Sequence, residues 1–363
     1  MRHRHLSRRD FVKTSAGVVL GTTAGGLTPA WRGNRFTAEK PVVSVVRIGN
    51  DRVDRAVEAA IDLLGGIETV AKGKDRIMLK PNLVAEGPHF TTKPSVVRTL
   101  AQLMQRSGKE VVIGEGSAAG TGFNVRGDVT YRTRNREILD GMQQYVFDRL
   151  GYTELASSLR TPLINLHSGE MAEVAVPNGF VFDKITLHQS LTDIDLLCSV
   201  PMMKTHVLAT VTLGMKNLIG LYPGTVYYSV RSWLHDQAAM AESPGIAFET
   251  IDMVRANKLG LTVVDGSMAM EGDGPSDGSL VPMNLIIAGT NPLATDMVAA
   301  DIMGFGVHEV PTLTWAYRAG LGPASVSDVE VRGEKLEHVR RPFVKPNVIS
   351  WETINKSWGV QEM

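Results

Sequence analysis

The chain has 363 residues, of which 43% are hydrophobic and 21% charged. This composition is close to the globular average and excludes wholesale disorder and a fibrous fold. The 38 lysines and arginines balance 38 aspartates and glutamates, so no net field favours nucleic acid or an anionic membrane surface. The single cysteine, Cys198, excludes an intrachain disulfide, a four-cysteine zinc site and a 4Fe–4S cluster built from this chain alone.

Residues 1–30 have the pattern of an export signal. A basic head is followed by a Gly- and Ala-rich apolar stretch, and small residues end the segment at Ala30. The apolar stretch is shorter than the roughly 20 residues that cross a bilayer. The run Ser7-Arg8-Arg9-Asp10-Phe11-Val12-Lys13 resembles a twin-arginine signal. This resemblance implies export in the folded state.

The export pattern makes the twin-arginine translocation machinery an expected partner. The protein is then periplasmic or otherwise extracytoplasmic, and no transmembrane helix is expected in the mature chain. Two fates of the segment stay open, because it could be cleaved after Ala30 or kept as a membrane anchor.

An α/β domain is predicted over residues 40–336. Unbroken apolar runs occur at residues 42–46, 77–79, 111–113, 194–200, 261–264 and 285–288, and such runs are typical of strands covered on both faces. Helical periodicity occurs between them at residues 54–64, 95–106 and 292–303. We therefore predict a mostly parallel sheet sandwiched by helices. Residues 118–190 predict an irregular insertion, and residues 337–363 a C-terminal tail packed on the domain.

Polar side chains directly follow four of the predicted strands. They are Lys80 and Asn82, Glu115, Lys204 and His206, and Asp265. In an open α/β sheet, ligands bind outside the carboxyl ends of the strands. We therefore expect these side chains to share one edge and to form a site. The alternative is that each belongs to a solvated loop, since strands end at the surface.

The densest polar segment is residues 201–220. Its polar side chains include Lys204, His206, Thr210, Thr212, Lys216 and Asn217. Ammonium and hydroxyl groups of this kind suit a carboxylate or a phosphate. His206 could act as a general acid/base or a metal ligand, or be a buried, hydrogen-bonded core residue.

A second polar segment contains the carboxylates of Asp265, Glu271 and Asp273. Three carboxylates on a glycine-containing loop could bind a hard divalent cation. The alternative is a simple turn around Gly274-Pro275. Asp296, within a predicted helix, is a further buried-carboxylate candidate.

These motifs together resemble the domain of unknown function 362 (DUF362) family over residues 42–310. The shared motifs are Lys80-Pro81-Asn82, Thr91-Thr92-Lys93-Pro94, Pro201-x-x-Lys204-Thr205-His206, Thr210-x-Thr212-x-x-x-Lys216-Asn217-x-x-Gly220, Asp265-Gly266, Glu271-Gly272-Asp273-Gly274-Pro275 and Pro292-x-x-x-Asp296. His235 falls where the family usually has a histidine. Many relatives carry additional ferredoxin-like cysteine motifs, and this chain lacks them. The resemblance therefore implies a site but no iron–sulfur centre and no particular reaction.

The sequence hypothesis is an enzyme that acts on a small anionic or polar substrate. His206, Lys204 and His235 are the expected catalytic residues. The expected substrate-binding residues are Lys80, Asn82, Glu115, Thr210, Thr212, Lys216 and Asn217. Asp265, Glu271 and Asp273 would hold a divalent metal or a substrate hydroxyl. An oxidoreductase with a cofactor loaded in the cytoplasm before folded export stays open, and the sequence does not identify that cofactor. The alternative is an exported binding protein that uses the same pocket without turnover.

Overall fold

The apolar runs of the sequence form buried strands. In the computed structural model, which describes residues 39–356 and 358–360, the strand Arg76–Pro81 is almost wholly buried, and Leu196–Val200 is buried throughout. Strands of this kind need cover on both faces. The helices that provide it begin at sequence signals, since Pro94–Arg106 and Pro292–Ile302 each start with proline in the first turn.

The described residues contain sixteen strands. They are β1 (Val42–Arg47), β2 (Arg76–Pro81), β3 (Glu110–Glu115), β4 (Val125–Arg126), β5 (Val129–Arg132), β6 (Leu163–Asn165), β7 (Met171–Ala175), β8 (Lys184–His188), β9 (Leu196–Val200), β10 (Met202–His206), β11 (Thr210–Thr212), β12 (Leu259–Glu271), β13 (Ser279–Val281), β14 (Leu285–Gly289), β15 (Glu330–Gly333) and β16 (Trp358–Val360).

Thirteen α-helices lie between these strands in the described part of the chain. They are α1 (Val53–Asp62), α2 (Ile67–Val70), α3 (Pro94–Arg106), α4 (Arg136–Arg149), α5 (Tyr152–Leu159), α6 (Gly214–Asn217), α7 (Gly224–Tyr227), α8 (Ser232–Met240), α9 (Ala247–Ala256), α10 (Pro292–Ile302), α11 (Pro311–Arg318), α12 (Leu336–Val339) and α13 (Trp351–Asn355).

The main sheet has the strand order β15-β1-β14-β12-β9-β2-β3-β6. Along this order only β14 runs antiparallel to its neighbours, and every other pairing is parallel. Strands β10, β11 and β13 extend the sheet beside β12. The register pairs Lys80 with Ser199 and Glu115 with Asn165, so the carboxyl ends of β2, β3, β6 and β9 lie side by side.

Helices cover both faces of the sheet. One apolar cluster joins the strands to α1, α3, α4 and α5, and a second joins them to α9, α10 and α11. The predicted α/β sandwich with a mostly parallel sheet is confirmed. None of the described helices combines the length and apolar character that crossing a bilayer would require.

Two expectations about the elements need correction. Residues 118–190 are only partly irregular, because α4, α5 and β6 continue the alternation and place β6 at the edge of the main sheet. The strand expected at residues 261–264 is also longer than predicted. As β12 it continues to Glu271, so Asp265 lies inside the strand and does not follow its end.

The described C-terminal residues contact the rest of the compact unit that begins at Lys40. The amide of Arg341 donates to the carbonyl of Ile302, and that of Ile349 donates to the carbonyl of Val207. Strand β16 pairs in parallel with β5. Residues 1–30, where we predict the export signal, lie outside the described residues.

Candidate functional site

A cavity of about 410 Å³ lies at the carboxyl ends of β2 and β3. Eight of the thirteen residues expected in the site line it. They are Lys80, Asn82, Glu115, His206, Thr212, Lys216, Asn217 and His235. These eight residues, which are far apart in the sequence, therefore line one cavity as expected.

Lys80 and Glu115 form a buried ion pair in the cavity wall. The Lys80 ammonium donates to Glu115 Oε1 at 2.7 Å, and it also donates to the carbonyl of Pro81 at 3.0 Å and to Asn217 Oδ1 at 3.2 Å. Glu115 Oε2 accepts the amide of Leu83 at 3.0 Å. Burial lowers the pKa of Lys80, and the negative charge of Glu115 opposes this shift. Because its three donors are used, Lys80 is a structural cation here and not the open anion-binding group that we expected.

Asn217 fixes the orientation of the side-chain amide of Asn82. Its Nδ2 donates to Ser199 Oγ at 3.0 Å and to the carbonyls of Lys80 and Pro81, while its Oδ1 accepts from Asn82 Nδ2 at 3.1 Å. This orientation leaves Asn82 Oδ1 buried with no hydrogen-bond partner among the described residues. Asn82 therefore offers the cavity one acceptor.

Lys216 is the lysine of the site that carries an open ammonium group. It lies on the short helix α6, whose first two amides, from Gly214 and Met215, donate to the carboxylate of Asp296 at 2.8 and 2.9 Å. In the described structure its ammonium forms no hydrogen bond or ion pair, and the residue lines the cavity. Burial, together with the positive charges of Arg231 and Lys80, lowers the pKa of Lys216 to about 7.

Arg231 is a cavity residue that no sequence pattern predicts. Its guanidinium donates to the carbonyls of Ser117, Gly116 and Gly220, and its Nε has no partner among the described residues. Burial lowers its pKa to about 10, so it stays charged at neutral pH. Arg231 and Val230 both have positive φ, 55° and 50°, a strained conformation for side chains of this size. No strand end or motif in the sequence marks this segment.

His206 presents a defined donor to the cavity. Its Nδ1 accepts the amide of Leu208 at 3.0 Å and that of Ala209 at 3.4 Å, so the ring proton of the neutral form lies on Nε2. Burial, followed by the charges of Lys216 and Lys204, lowers the pKa of His206 well below its usual value. This setting favours a neutral hydrogen-bond donor over a group that changes charge near pH 7.

His235 is also held neutral. Burial, with the charges of Lys216 and Arg231, lowers the pKa of His235 to about 3. Thr212 adds a buried hydroxyl with no hydrogen-bond partner in the described part of the chain. Beside the Lys80–Glu115 ion pair and the exposed Asp277, the cavity wall therefore contains two further cations, Lys216 and Arg231, and several neutral polar groups.

Lys204 and Thr210 do not line the cavity. The Lys204 ammonium donates to the carbonyl of Phe90 at 2.5 Å and to that of Pro275 at 3.1 Å, and burial lowers its pKa well below the usual value. It therefore ties β10 to two neighbouring loops. Thr210 pairs with His206 in the β10–β11 hairpin, at a positive φ of 68°. The expected catalytic role of Lys204 and substrate contact of Thr210 find no support in this placement.

The three carboxylates expected to bind a metal accept hydrogen bonds from different parts of the chain. Asp265 accepts the amide of Lys93 and both the amide and hydroxyl of Ser267. Glu271 accepts the amide of Val344 at 3.0 Å, and Asp273 accepts that of Asn347 at 2.7 Å. Among the described residues, no group of three His, Cys, Asp or Glu side chains is arranged to hold a metal ion. The structure thus does not assemble the expected three-carboxylate cation site.

Cys198 is a core residue. It lies in β9, fully buried, and burial raises the pKa of its thiol, so a thiolate nucleophile is disfavoured.

Comparisons with known proteins match most of this region. A thylakoid-associated protein from Synechocystis sp. is 28% identical over 273 residues, which cover 74% of this chain and 76% of that protein. The lactate racemase apoprotein from Thermoanaerobacterium thermosaccharolyticum gives a TM-score of 0.43 at 14% identity, over 75% of this chain and 58% of that chain. A Thermotoga maritima protein gives a TM-score of 0.37 at 14% identity, over 68% of this chain and 57% of that chain. The chain thus spans less than two thirds of both solved structures.

A match to a protein-family model identifies the family of the chain. The model described as "Domain of unknown function (DUF362)" matches residues 77–301, which is more than half of the chain. The matched region runs from β2 to α10 and includes every residue that the sequence motifs placed in the site. The chain belongs to the DUF362 family.

Proposed function

We propose that this protein is an enzyme that acts on a small organic anion bound in the cavity. One observation carries the proposal: Lys216 and Arg231 line the same cavity, and neither forms an ion pair with a carboxylate among the described residues. Of the two carboxylates in the cavity wall, Asp277 is exposed and Glu115 is paired with Lys80. The negative charge of Glu115 also raises the pKa of Arg231, but Glu115 forms no ion pair with Arg231 or Lys216 among the described residues. A buried positive charge without a counterion is costly, and an anionic ligand would relieve that cost.

The remaining wall supports an organic anion of small size. Leu83, Ile219 and Leu208 supply apolar contacts, while Asn82 Oδ1 and the Thr212 hydroxyl offer hydrogen bonds. A volume of about 410 Å³ lies within the range of small-molecule sites. The wall therefore combines apolar residues that enclose a ligand with polar residues that orient it.

The test is an NMR experiment on the full chain with a set of small carboxylates. Saturation-transfer difference signals report binding, and the time course of the ligand spectra reports chemical change. We expect saturable binding of at least one carboxylate and its slow conversion. Lys216→Met should weaken binding at least tenfold, whereas Lys335→Met, at an exposed lysine, should leave it unchanged.

Each outcome of this experiment has a definite meaning. Binding with conversion supports an enzyme. Saturable binding without conversion of any ligand supports the alternative, a non-catalytic binding protein with the same pocket. No binding, or equal binding by the Lys216→Met variant, contradicts the assignment of the cavity.

The affinity for the anion should depend on pH. Lys216 is charged below its pKa of about 7 and neutral above it. An anion therefore binds best below pH 7, and its dissociation constant should rise as the pH increases from 6 to 9. In the Lys216→Met variant the same pH change should have little effect. Isothermal titration calorimetry with the best carboxylate measures both curves.

We also propose that the chain is exported by the twin-arginine route to a periplasmic or other extracytoplasmic location. The support is the sequence of residues 1–30, with Arg8 and Arg9 ahead of an apolar stretch. Replacing both arginines by lysine in the tagged full chain should leave the protein in the cytoplasmic fraction. Equal export of the two forms would contradict the proposal.

A further inference from the structure

We infer that Lys216 forms a Schiff base with the carbonyl carbon of a small 2-oxo acid. This inference rests on the proposed function, because it names the substrate class and the covalent step within the same anion-binding cavity. It goes beyond anion binding, which any cation could provide.

The contacts of the three lysines separate Lys216, which is partly buried, from the fully buried Lys80 and Lys204. Lys80 donates to three acceptors, and Lys204 donates to two main-chain carbonyls. The Lys216 amine lines the cavity and has no acceptor among the described residues. Asp296 holds the helix that carries Lys216, because its carboxylate accepts the first two amides of α6. The Lys216 amine therefore does not have to break a hydrogen bond before it reacts with a carbonyl.

The surroundings also keep this amine reactive. Only the unprotonated amine of a lysine can attack a carbonyl carbon. Desolvation and a neighbouring cation lower the pKa of a lysine and so increase the unprotonated fraction. Burial and the charges of Arg231 and Lys80 bring the pKa of Lys216 to about 7, so both forms are populated at neutral pH. The amine nitrogen bonds to the carbonyl carbon, and the resulting carbinolamine loses its hydroxyl as water. Two protons of the original ammonium leave with the carbonyl oxygen, and the positive charge stays on the imine nitrogen.

The other polar groups of the cavity suit the rest of a 2-oxo acid. Arg231 lines the same cavity as Lys216 and its Nε has no partner among the described residues, so its guanidinium is available to the carboxylate adjacent to the reacting carbonyl. The Nε2–H of His206 is a fixed donor for the carbonyl oxygen, since Nδ1 is occupied by two amides. The Thr212 hydroxyl is a second donor without a partner among the described residues.

Reductive trapping tests the covalent step. The full chain is incubated with pyruvate, the simplest 2-oxo acid of this kind, and sodium cyanoborohydride, and the adduct is located by intact-mass and peptide mass spectrometry. We expect one reduced pyruvyl adduct per chain, on Lys216. Lys216→Arg should lose that adduct, and Lys335→Met should keep it. Propionate, which has the same chain length and no carbonyl, should give none.

Melting temperatures with and without each ligand separate the two levels of the proposal and confirm that the variants are folded. If pyruvate and propionate both stabilise the protein but no adduct forms on Lys216, the Schiff base is refuted and the anion site stands. If neither ligand stabilises the protein and no adduct forms, the proposed function fails as well. Modification spread over exposed lysines with none on Lys216 also refutes the inference.

Discussion

Lys80 and Lys216 line the same cavity but have opposite electrostatic surroundings. Lys80 is neutralised by Glu115 at 2.7 Å and bonded to two further oxygens. Lys216 has no carboxylate partner in the described structure, and the positive charges of Arg231 and Lys80 act on it. The identity of a residue therefore does not decide its role at this site. Its partners do, and partners come from distant parts of the chain.

The shifted pKa of Lys216 predicts a pH dependence of stability. The lysine keeps its proton up to about pH 10.4 in the unfolded chain but only up to about pH 7 in the folded one. Between these values the unfolded state binds more protons, so the free energy of unfolding should increase as the pH rises. Each pKa unit corresponds to about 1.4 kcal/mol, which limits the gain to a few kcal/mol.

Urea denaturation at pH 7 and pH 9.5 measures this gain. Lys216→Met lacks the titrating group and should show a smaller increase than the wild type. Lys335→Met, which removes an exposed lysine, should behave like the wild type. Equal increases in the wild type and in Lys216→Met would show that Lys216 is not perturbed.

The buried ion pair predicts a strongly non-additive pair of substitutions. Glu115→Leu alone leaves the Lys80 ammonium buried without its counterion, which should cost about 3–5 kcal/mol of unfolding free energy. The double variant Lys80→Met/Glu115→Leu removes both charges and should recover much of that loss. Denaturation of the four proteins in a double-mutant cycle gives the coupling. Additive losses would contradict a direct interaction.

The residues of the site were predictable to different degrees. Lys80, Glu115 and His206 were found because polar residues at the ends of apolar runs meet at one edge of a parallel sheet. Their partners were not predictable, since a single sequence does not show that Glu115 neutralises Lys80. Arg231 was missed because it lies on an irregular segment with positive φ, which has no periodic pattern.

At the scale of elements, the segment from α6 to Gly220 brings the backbone against the buried ion pair. A Cβ placed on Gly220 would lie 2.5 Å from Glu115 Oε1 and 2.7 Å from Lys80 Nζ. The backbone can pass this close only because glycine has no side chain. The three named residues of the motif Lys216-Asn217-x-x-Gly220 therefore have different roles. Lys216 supplies an amine without a partner among the described residues, Asn217 orients the side-chain amide of Asn82, and Gly220 lets the backbone pass close to the Lys80–Glu115 pair.

Gly220→Ala should consequently destabilise the protein. The added methyl would have to displace two hydrogen-bonded charged groups, and overpacking of this kind costs about 1–3 kcal/mol. Gly49→Ala is the matched control, because a Cβ there meets nothing within 4 Å. Chemical denaturation of both variants gives the comparison. A loss at Gly220 no larger than that at Gly49 would contradict the close packing.

The carboxylates of the second polar segment show where element boundaries limited the prediction. Asp265 follows an apolar run in the sequence, but β12 continues for six further residues through Glu271. The strand continues because β13 and β10 pair with this part of it. Such pairing depends on residues far away in the chain, so the sequence alone placed the strand end too early.

At the scale of the whole molecule, the sandwich was predictable and the path of its C-terminus was not. Apolar runs and helical periodicity are local signals, and they located the main strands and the helices α1, α3 and α10. Residues 340–360, the C-terminal segment, have weak periodicity. They nevertheless reach the cavity, because Ile354 lines it.

Glu271 and Asp273 hold this C-terminal segment. Their carboxylates accept the amides of Val344 and Asn347, and Arg341 pairs with Glu271 at 3.4 Å. Removing both acceptors in Glu271→Ala/Asp273→Ala should free these amides. We expect hydrogen exchange of peptides within residues 340–356 to accelerate roughly tenfold, since each bond contributes about 1 kcal/mol, while β2 and β3 keep their protection.

Asp277→Ala provides the control for this last prediction, because Asp277 lies in the loop that follows Glu271 and, among the described residues, accepts only from the adjacent Ser276 hydroxyl. Its exchange rates should match the wild type. If the double variant also retained wild-type rates, the two carboxylates would not be what holds the segment. Faster exchange together with faster loss of a bound carboxylate would show that the segment, through Ile354, also retains the ligand in the cavity.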